Sequence, residues 1–422
     1  MSKKKKMKDT KDTNPIDNSF NCCVMGLGYI GLPTAAIVAQ REYKVLGVDI
    51  NSEIVDKINQ GEIHFTEEGL GEMVYKVVKN QFLYAKCEPS YADVFIIAVP
   101  TPFKKTKDKF PTPNTNYIFD AAKSISKFLR KGNLIILEST SPVGTTKKLA
   151  HFVSEQSGID ESEFNIAYCP ARVLPGQILN ELVNNNRVIG GTTERASNMA
   201  ENFYSSFCEG ILLKTSAETA EMVKLTENSF RDVNVAFANE LSIISDKLNI
   251  DVRELIKLAN KHPRVNILQP SCGVGGHCIA VDPWFLVAGA EEITPLIQTS
   301  RKVNDGKSSW SINKIVSKYN EIKKDLKRNP RVGCFGITFK PNVDDLRESP
   351  ALKITNSLKE MGIEVNVCEP NLNECSDFNL INKNVLIKTS DLLIFLVGHK
   401  EFENLDLGKR EYIDLCGITS LK

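Results

Sequence analysis

The sequence lacks any apolar run long enough to cross a lipid bilayer. Such a run needs about 18 residues, and the longest here, such as DLLIFLV at 391–397, have the length of a buried strand. The chain also lacks a net charge of either sign, because 53 Lys and Arg face 52 Asp and Glu. It therefore offers no general basic field to nucleic acid. We expect a protein that neither inserts into membranes nor binds nucleic acid.

Histidine is scarce, and cysteine follows no pattern of paired ligands or bridges. There are five histidines and eleven cysteines, an odd number at irregular spacings. Disulfide frameworks and structural zinc sites use regularly spaced pairs. We therefore predict no metal site, reduced thiols and a cytoplasmic location.

The chain opens on a basic segment, MSKKKKMKDTKDTNP. It has no apolar stretch of the kind that a signal peptide needs. We predict a disordered basic tail over residues 1–19. Its four consecutive lysines leave open a weak electrostatic attraction to a membrane surface.

A dinucleotide-binding fingerprint follows the tail. An apolar strand leads into GLGYIG and then into a helix, and a second strand ends at Asp49. Gly26 permits a tight turn, Gly28 lets a pyrophosphate approach the backbone, and Gly31 lets the helix pack closely on the strand. Asp49 would accept hydrogen bonds from both ribose hydroxyls, which favours NAD over NADP. The alternative is a structural turn without a ligand.

Strands and helices alternate in two parts of the chain. Residues 20–214 are predicted to form an NAD-binding Rossmann domain around a doubly wound parallel sheet. Residues 326–422 are predicted to form a second, smaller α/β domain, which has no GxGxxG. Thr101 and Thr140 follow two of the strands, at the edge of the sheet where ligands bind.

The part between these domains is helical. From Ala217 onward more than thirty residues contain neither Gly nor Pro, and apolar side chains recur at helical spacing. We predict one long helix within a central domain over 215–325. The fold class is therefore α/β, with two Rossmann-like doubly wound domains joined by a helical central domain.

The segment PSCGVGGHCIAVDPWF at 270–285 holds two cysteines. Cys272, His277 and Cys278 lack the second ligand pair of a zinc site, and a buried structural cysteine remains an alternative. Glycines precede Cys278, and Asp282 lies one helical turn beyond it. Backbone N–H groups at the start of a helix would point at such a thiol and lower its pKa. An activated thiol beside NAD can capture an aldehyde as a thiohemiacetal, from which hydride leaves to form a thioester.

Eight motifs, in order along the chain, resemble those of the UDP-glucose/GDP-mannose dehydrogenase family, most closely its branch acting on UDP-N-acetyl-D-mannosamine. The motifs are GLGYIGLPTA, AVPTPF, ESTSPVGT, RVLPGQ, AEMVKLTENSFRDVN, HPRVNILQP, GVGGHCIAVDPWF and FGITFKPNVDDLRESPA. The resemblance implies two successive NAD-linked oxidations, which turn the carbon-6 alcohol of a UDP-sugar into a carboxylate without releasing the aldehyde. It also implies a homodimer with the long helix at its core.

The resemblance assigns roles residue by residue. Cys278 would be the nucleophile, Lys224 and Asn228 would stabilise charge on the substrate oxygen, and Asp282 and Thr140 would manage the proton and position water. The implied substrate contacts are Arg172, Val173, Lys224, Asn228, Arg231, His262, Arg264, Gly275, Phe339 and Lys340. The implied cofactor contacts are Gly26, Gly28, Tyr29, Ile30, Gly31, Asp49, Thr101, Thr140 and Arg347. Taken singly, each could be a solvated charge, a helix cap or a strand-end hydroxyl.

The chain departs from the family pattern at Ala171, in the segment CPARVLPG. The branch has glutamate there, and the resemblance implies that this carboxylate handles the water that hydrolyses the thioester. General-base assistance typically contributes about 10²–10⁴-fold, so we hypothesise impaired turnover. The chain also has SCGVGG where the branch has PGPGVGG, which makes Cys272 incidental.

Three alternatives to UDP-N-acetyl-D-mannosamine oxidation stay open. The same chemistry could act on UDP-N-acetylglucosamine, UDP-N-acetylgalactosamine or UDP-glucose. A single-step β-hydroxyacid dehydrogenase shares the Rossmann domain and a helical domain with a lysine, but it needs neither the cysteine nor a third domain. With Ala171, the chain could also be a turnover-deficient protein that binds a nucleotide sugar.

Overall fold

The computed structural model describes residues 20–104, 110–276 and 278–419. The basic tail predicted over 1–19 lies outside them. The chain divides into two compact units, with the boundary between Thr226 and Glu227; we call them the N-terminal and the C-terminal unit. Within the described residues, no helix combines the length and the apolar character that a bilayer span requires.

The N-terminal unit is built around one large sheet. Its strands are β1 (Phe20–Met25), β2 (Val45–Val48), β3 (Leu83–Lys86), β4 (Ala92–Ile97), β5 (Leu134–Leu137), β6 (Asn165–Tyr168), β7 (Arg187–Gly191) and β8 (Leu212–Ser216). Its helices are α1 (Gly31–Gln40), α2 (Ser52–Asn59), α3 (Leu70–Lys79), α4 (Asn116–Ser126), α5 (Thr145–Ser157), α6 (Ile178–Asn184), α7 (Glu194–Tyr204) and the start of α8 (Ala217–Leu248). The strand order is β3-β2-β1-β4-β5-β6-β7-β8.

The central strands of this sheet are buried on both faces. All four residues of β2 and of β5 are buried, and so are the first nine residues of α1. Continuous apolar strands of this kind are typical of a parallel sheet covered by helices on each side. The predicted Rossmann-like fold is therefore confirmed.

The prediction of a wholly parallel sheet is wrong at one position. β6 and β7 run antiparallel, with Tyr168 opposite Gly190, whereas the other neighbouring pairs are parallel. A parallel return needs a crossover that runs back along the strand. The connection here, which contains α6, does not run back along β6, so β7 begins at the edge of the sheet where β6 ends.

The C-terminal unit combines helices with a small sheet. After the rest of α8 its elements are α9 (Val252–Ala259), α10 (Asp282–Gly289), α11 (Pro295–Leu326), β9 (Val332–Phe335), α12 (Pro350–Glu360), β10 (Val365–Cys368), α13 (Lys383–Thr389), β11 (Leu392–Phe395) and β12 (Glu411–Asp414). The strand order is β10-β9-β11-β12, and all pairs are parallel. The smaller α/β part of the predicted fold is therefore confirmed.

The predicted long helix is present as α8, but it is not the only one among the described residues. Both α8 and α11 have 32 residues. The sequence did not predict α11 as a second long helix, because Pro295 and Gly306 are residue types that usually break helices. Pro295 instead occupies the first turn, where it is tolerated. A buried network with α8 holds the helix further along: Arg301 Nη1 and Asn304 Nδ2 both donate to Asp232 Oδ1, at 2.6 and 2.7 Å.

Candidate active site

The glycine turn after β1 leaves room for a ligand at one position. Gly26 has φ of 91°, and a Cβ there would lie 2.7 Å from the carbonyl oxygen of Ala98. A Cβ at Gly31 would lie only 1.8 Å from a backbone oxygen, whereas one at Gly28 would meet nothing within 4 Å. The fold itself therefore requires Gly26 and Gly31. Gly28 instead keeps open the space in which a pyrophosphate would lie.

Asp49 is fixed beside this turn. Its carboxylate accepts hydrogen bonds from Leu27 N and Asn51 N, both at 3.0 Å. Each carboxylate oxygen has a further lone pair that a ribose hydroxyl could use. Tyr29 of the turn lies against Phe65 with ring centroids 4.3 Å apart, and the N-cap residue Ile30 gives α1 no side-chain cap. An uncapped helix start is where phosphate binds, so these residues fit NAD.

Thr101 and Thr140 lie where the sequence placed them, beyond the carboxyl ends of the neighbouring strands β4 and β5. Thr101 is buried and Thr140 is half-buried. Ser139 Oγ donates to Val99 O at 2.7 Å and ties the two loops together. Both hydroxyls therefore belong to the same edge of the sheet as the glycine turn.

Ala171 and Lys224 are in direct contact. Ala171 follows β6 and is buried, and its carbonyl oxygen accepts a hydrogen bond from Lys224 Nζ at 2.9 Å. Arg172 Nη1 donates to Asn186 O at 2.9 Å, and the half-buried Val173 packs on the core. The structure thus brings the catalytic lysine candidate into contact with Ala171, a position where the resemblance implies glutamate.

Two buried glutamates that sequence reasoning missed hold these segments in place. Glu67 accepts hydrogen bonds from Gly176 N and Ile178 N, both at 2.7 Å, and so fixes the segment that carries Arg172 and Val173. Its partners lie 109 and 111 residues away. Because the pairing is so distant, no local pattern could have revealed it.

Glu221 is the second, and it lies one turn before the lysine candidate on α8. It is fully buried and accepts hydrogen bonds from Gly144 N at 2.6 Å, Thr146 N at 2.7 Å and Thr146 Oγ1 at 2.6 Å. These donors belong to the start of α5. Glu221 therefore fixes α8 against the helix that follows Thr140.

In the C-terminal unit, Asn228 and Asp282 connect α8 to the start of α10. The loop that precedes α10 and carries Cys278, residues 273–281, is called the cysteine loop below. Asn228 Nδ2 donates to Asp282 Oδ2 at 2.5 Å, and both side chains are buried. Cys278 lies one turn before α10 and is exposed. The expectation that nearby backbone N–H groups point at its thiol is wrong for Val281 and Asp282. These N–H groups close the turn instead, by donating to the carbonyl oxygen of Cys278 at 3.1 and 2.8 Å.

The glycines before Cys278 pack against a segment of the small α/β part. A Cβ at Gly275 would lie 2.4 Å from Glu348 O, and one at Gly276 would lie 2.7 Å from the ring of Phe339. Gly276 N also donates to Arg347 O at 3.1 Å. Only residues without a side chain allow this approach. The structure thus brings two predicted ligand-binding residues, Phe339 and Arg347, to the cysteine loop.

Other predicted contacts are at the surface of the C-terminal unit. Arg231, His262 and Arg264 are exposed, and Lys340 is half-buried. Arg347 is exposed, and its Nη2 lies 2.7 Å from a carboxylate oxygen of Asp345. For these residues a role in substrate or cofactor binding stays a prediction.

Cys272 is a core residue. It is buried with the apolar side chains around the small sheet, and its Sγ lies 3.7 Å from Leu396 O. Burial raises the pKa of its thiol to about 12. A protonated, enclosed thiol agrees with the prediction that Cys272 is incidental to the chemistry.

Both units are similar in sequence to a known protein family. Three models of the UDP-glucose/GDP-mannose dehydrogenase family match: the NAD binding domain over residues 20–208, the central domain over 218–306 and the UDP binding domain over 333–414. The last of these includes the small sheet, which a single-step dehydrogenase does not need.

Relatives and a solved structure match over nearly the whole chain. A UDP-N-acetyl-D-mannosamine dehydrogenase from Campylobacter jejuni is 51% identical, over 94% of this chain and 100% of its own. An NDP-N-acetyl-D-galactosaminuronic acid dehydrogenase from Ralstonia solanacearum is 47% identical, over 94% and 96%. The structure of a UDP-D-ManNAc dehydrogenase from Pyrococcus horikoshii has a TM-score of 0.87 and 36% identity, over 94% and 95%.

Proposed function

We propose that this chain, which belongs to the UDP-glucose/GDP-mannose dehydrogenase family, oxidises the carbon-6 alcohol of UDP-N-acetyl-D-mannosamine to the carboxylate. The observation that supports this most directly is the exposed Cys278, in a glycine turn that Asp282 connects to Asn228 of α8. A dehydrogenase that stops at the aldehyde has no use for this thiol. The substrate is proposed from the names of the relatives.

The first oxidation takes a proton from the carbon-6 hydroxyl and a hydride from carbon 6, leaving an aldehyde. NAD, when bound, supplies the hydride acceptor for this step and for the next. Lys224 has three N–H groups and gives one to Ala171 O. We propose that another binds the substrate oxygen, where the positive charge favours loss of the proton.

The second oxidation passes through Cys278. Its sulfur forms a bond to the aldehyde carbon while the thiol proton passes to the aldehyde oxygen, giving a thiohemiacetal. Loss of hydride from that carbon and of the proton from its hydroxyl leaves a thioester. Water then breaks the carbon–sulfur bond, releasing the carboxylate and restoring the thiol. We propose that Asp282 and Thr140 move the proton and position the water, and that Asn228 keeps Asp282 in place through its hydrogen bond of 2.5 Å.

The test is the count of NADH formed per sugar. We expect two per UDP-N-acetyl-D-mannosamine, and none beyond the first in Cys278→Ala. Cys272→Ala is the matched control, because it removes a buried thiol from the same segment. A single NADH per sugar, or two in Cys278→Ala, would contradict the proposal.

We further propose that Ala171 slows hydrolysis of the thioester. Ala171→Glu would restore the carboxylate, and we expect it to raise the steady rate by about 10²–10⁴-fold. Ala171→Gln, similar in size but without the charge, should give little gain. In the original chain, intact-mass measurement with NAD and substrate should find acylated Cys278. Brisk NADH production with unmodified Cys278 would contradict this; no gain with glutamate would favour the binding-protein alternative.

The relative from Ralstonia solanacearum favours a second candidate substrate, UDP-N-acetyl-D-galactosamine. Its sugar differs from the first candidate only in the orientation of ring substituents. The residues of the described site give no contact that separates the two. Initial rates with each sugar nucleotide, measured side by side, decide between them.

We also propose a homodimer that forms along α8. Five large apolar side chains are exposed on this helix, and four of them recur at intervals of seven, seven and four residues: Phe230, Phe237, Ile244 and Leu248. This spacing places them along one face, and such a strip marks an interaction surface. Phe237→Glu should shift the molar mass measured by light scattering from dimer to monomer. Tyr75→Glu is the control, since Tyr75 on α3 is equally exposed, at 52%.

We retain the cytoplasm as the proposed location. Six cysteines of the described residues are buried thiols without a disulfide: Cys22, Cys23, Cys169, Cys272, Cys334 and Cys368. Thiols in this number are typical of a reducing compartment. Fractionation of cells, with detection of the protein, tests the location.

A further inference from the structure

A buried pair of ionisable side chains lies at the carboxyl edge of the small sheet. Glu369 follows β10, and His399 lies four residues beyond β11. Both side chains are fully buried, and His399 Nε2 lies 3.0 Å from Glu369 Oε2. Neither residue contributes to the proposed chemistry, and a buried charge needs a purpose or a full set of partners.

The hydrogen bonds fix the tautomer of His399. Its Nδ1 accepts a hydrogen bond from Asn342 N at 2.9 Å. Because a backbone N–H can only donate, Nδ1 carries no proton, and Nε2 therefore carries it and donates to Glu369. Glu369 Oε2 also accepts from Ile337 N at 2.8 Å. The pair thus binds two separate points of the backbone after β9.

These two points enclose the segment 336–342, which contains Phe339 and Lys340. Ile337 lies near its start, where the pair holds it through Glu369. Asn342 lies at its end and adopts φ of 59°, a left-handed conformation that needs support in a residue other than glycine. The support comes from His399 Nδ1 and from Lys400 N, which donates to Asn342 Oδ1 at 3.0 Å. Both ends of the segment are therefore fastened to the sheet.

The same segment also bears on the cysteine loop. The ring of Phe339 lies so close to Gly276 that a Cβ there would be 2.7 Å from it. Gly276 is two residues before Cys278. A shift of Phe339 would therefore change the packing of the turn that carries the thiol.

We propose that Glu369 and His399 are positioning residues that fix the Phe339–Lys340 segment for the uridine diphosphate part of the substrate. The proposal rests on the proposed function, because it takes Phe339 and Lys340 as substrate contacts. It adds the pair that holds them and the Asn342 amide through which it acts. The matched UDP binding domain spans residues 333–414 and includes every group of this network.

The test uses the full chain and UDP as the probe. Asn342→Ala removes the bond to Lys400 N and the side chain that best tolerates a left-handed backbone, and we expect UDP to bind about 3–10-fold more weakly. Asn404→Ala is the matched control, since Asn404 is exposed and has φ of 57° in the same unit. It should cost similar stability and leave the Kd for UDP unchanged. Neither variant should change the Kd for NAD. Equal loss of UDP affinity in both variants would overturn the proposal.

A pair of substitutions at His399 tests the pair itself. His399→Asn keeps an acceptor near the position of Nδ1, whereas His399→Phe keeps the ring but no acceptor. We expect His399→Phe to raise KM for the sugar nucleotide much more than it lowers kcat, and His399→Asn to recover part of the loss. A folded His399→Phe with unchanged KM and unchanged Kd for UDP would refute the role.

The outcomes separate this proposal from the function on which it rests. If the original chain binds UDP but forms no NADH from any UDP-hexosamine, the oxidation fails and the Asn342 comparison still decides the positioning role. If it forms NADH and the variants bind UDP as it does, the positioning role fails alone. If UDP does not bind at all, the positioning role is overturned.

Discussion

Replacing Lys307 with methionine is expected to stabilise the protein near neutral pH and to remove part of the pH dependence of its stability. Lys307 lies on α11 and is 2% exposed. Its Nζ donates to Ser242 Oγ at 2.6 Å and lies 3.5 Å from the centroid of the Trp310 ring. Burial lowers its pKa from 10.5 to about 7, and Lys314 adds to this, while Cys272 and Asp246 act in the opposite direction.

The size and sign of the effect follow from linkage. Between pH 7 and pH 10.5 the unfolded chain holds a proton on Lys307 that the folded chain has lost, so stability rises with pH in this window. The full difference in pKa corresponds to roughly 5 kcal/mol, and each pH unit inside the window to about 1.4 kcal/mol. From pH 7 to pH 9, the advantage of Lys307→Met over the original chain should therefore shrink by about 2–3 kcal/mol.

Urea unfolding followed by tryptophan fluorescence measures this difference. The chain has two tryptophans, and the ring of one of them, Trp310, is in contact with the Lys307 ammonium. Lys314→Met is the control, because Lys314 also faces Trp310 but is partly exposed and paired with Asp246. Its difference from the original chain should vary much less with pH, because Lys314→Met leaves the ammonium of Lys307 buried and removes only a secondary cause of its lowered pKa. A constant difference between Lys307→Met and the original chain from pH 7 to pH 9 would refute the reasoning.

Two further predictions concern the N-terminal unit. Gly28→Ala should leave the melting temperature of the unit unchanged and weaken NAD binding in a fluorescence titration, because the added methyl occupies ligand space. Gly31→Ala should lower the melting temperature, because its Cβ would lie 1.8 Å from a backbone oxygen. Glu221→Gln should destabilise the unit by about 1–3 kcal/mol, because all its partners are donors and an amide N–H₂ would oppose one of them. Thermal unfolding measures this loss. Glu218→Gln, one turn earlier, removes only the ion pair of a half-buried side chain with the exposed Lys147, and it should cost less than about 1 kcal/mol.

Local patterns made much of the fold predictable. A strand, GLGYIG and a helix follow one another in the structure as they do in the fingerprint, because the turn depends on neighbouring residues alone. The thirty residues without Gly or Pro became α8 for the same reason. The position of Cys278 one turn before Asp282 and α10 was equally local.

Long-range partners could not be predicted. Glu67, Glu221 and Glu369 look like surface carboxylates in the sequence, yet each is buried on backbone N–H groups of a distant segment. α11 was not predicted because Gly306 interrupts its pattern, and buried contacts with Asp232 of α8 outweigh the helix-breaking tendency of this glycine. In each case the deciding interaction is between elements that the sequence does not place side by side.

Lys224 contacts the backbone of Ala171, so the position of the lysine does not depend on which side chain residue 171 carries. Lys224 Nζ is held by a backbone carbonyl at 2.9 Å, which any residue at this position would offer. On the proposed mechanism the carboxylate missing at this position is a catalytic group, and its absence leaves the anchor of the ammonium in place. Had the side chain been the anchor, its loss would have freed the lysine and weakened substrate binding as well. We therefore expect Ala171→Glu to raise kcat with little change in the Kd for the sugar nucleotide. A gain confined to binding would show that the carboxylate serves recognition.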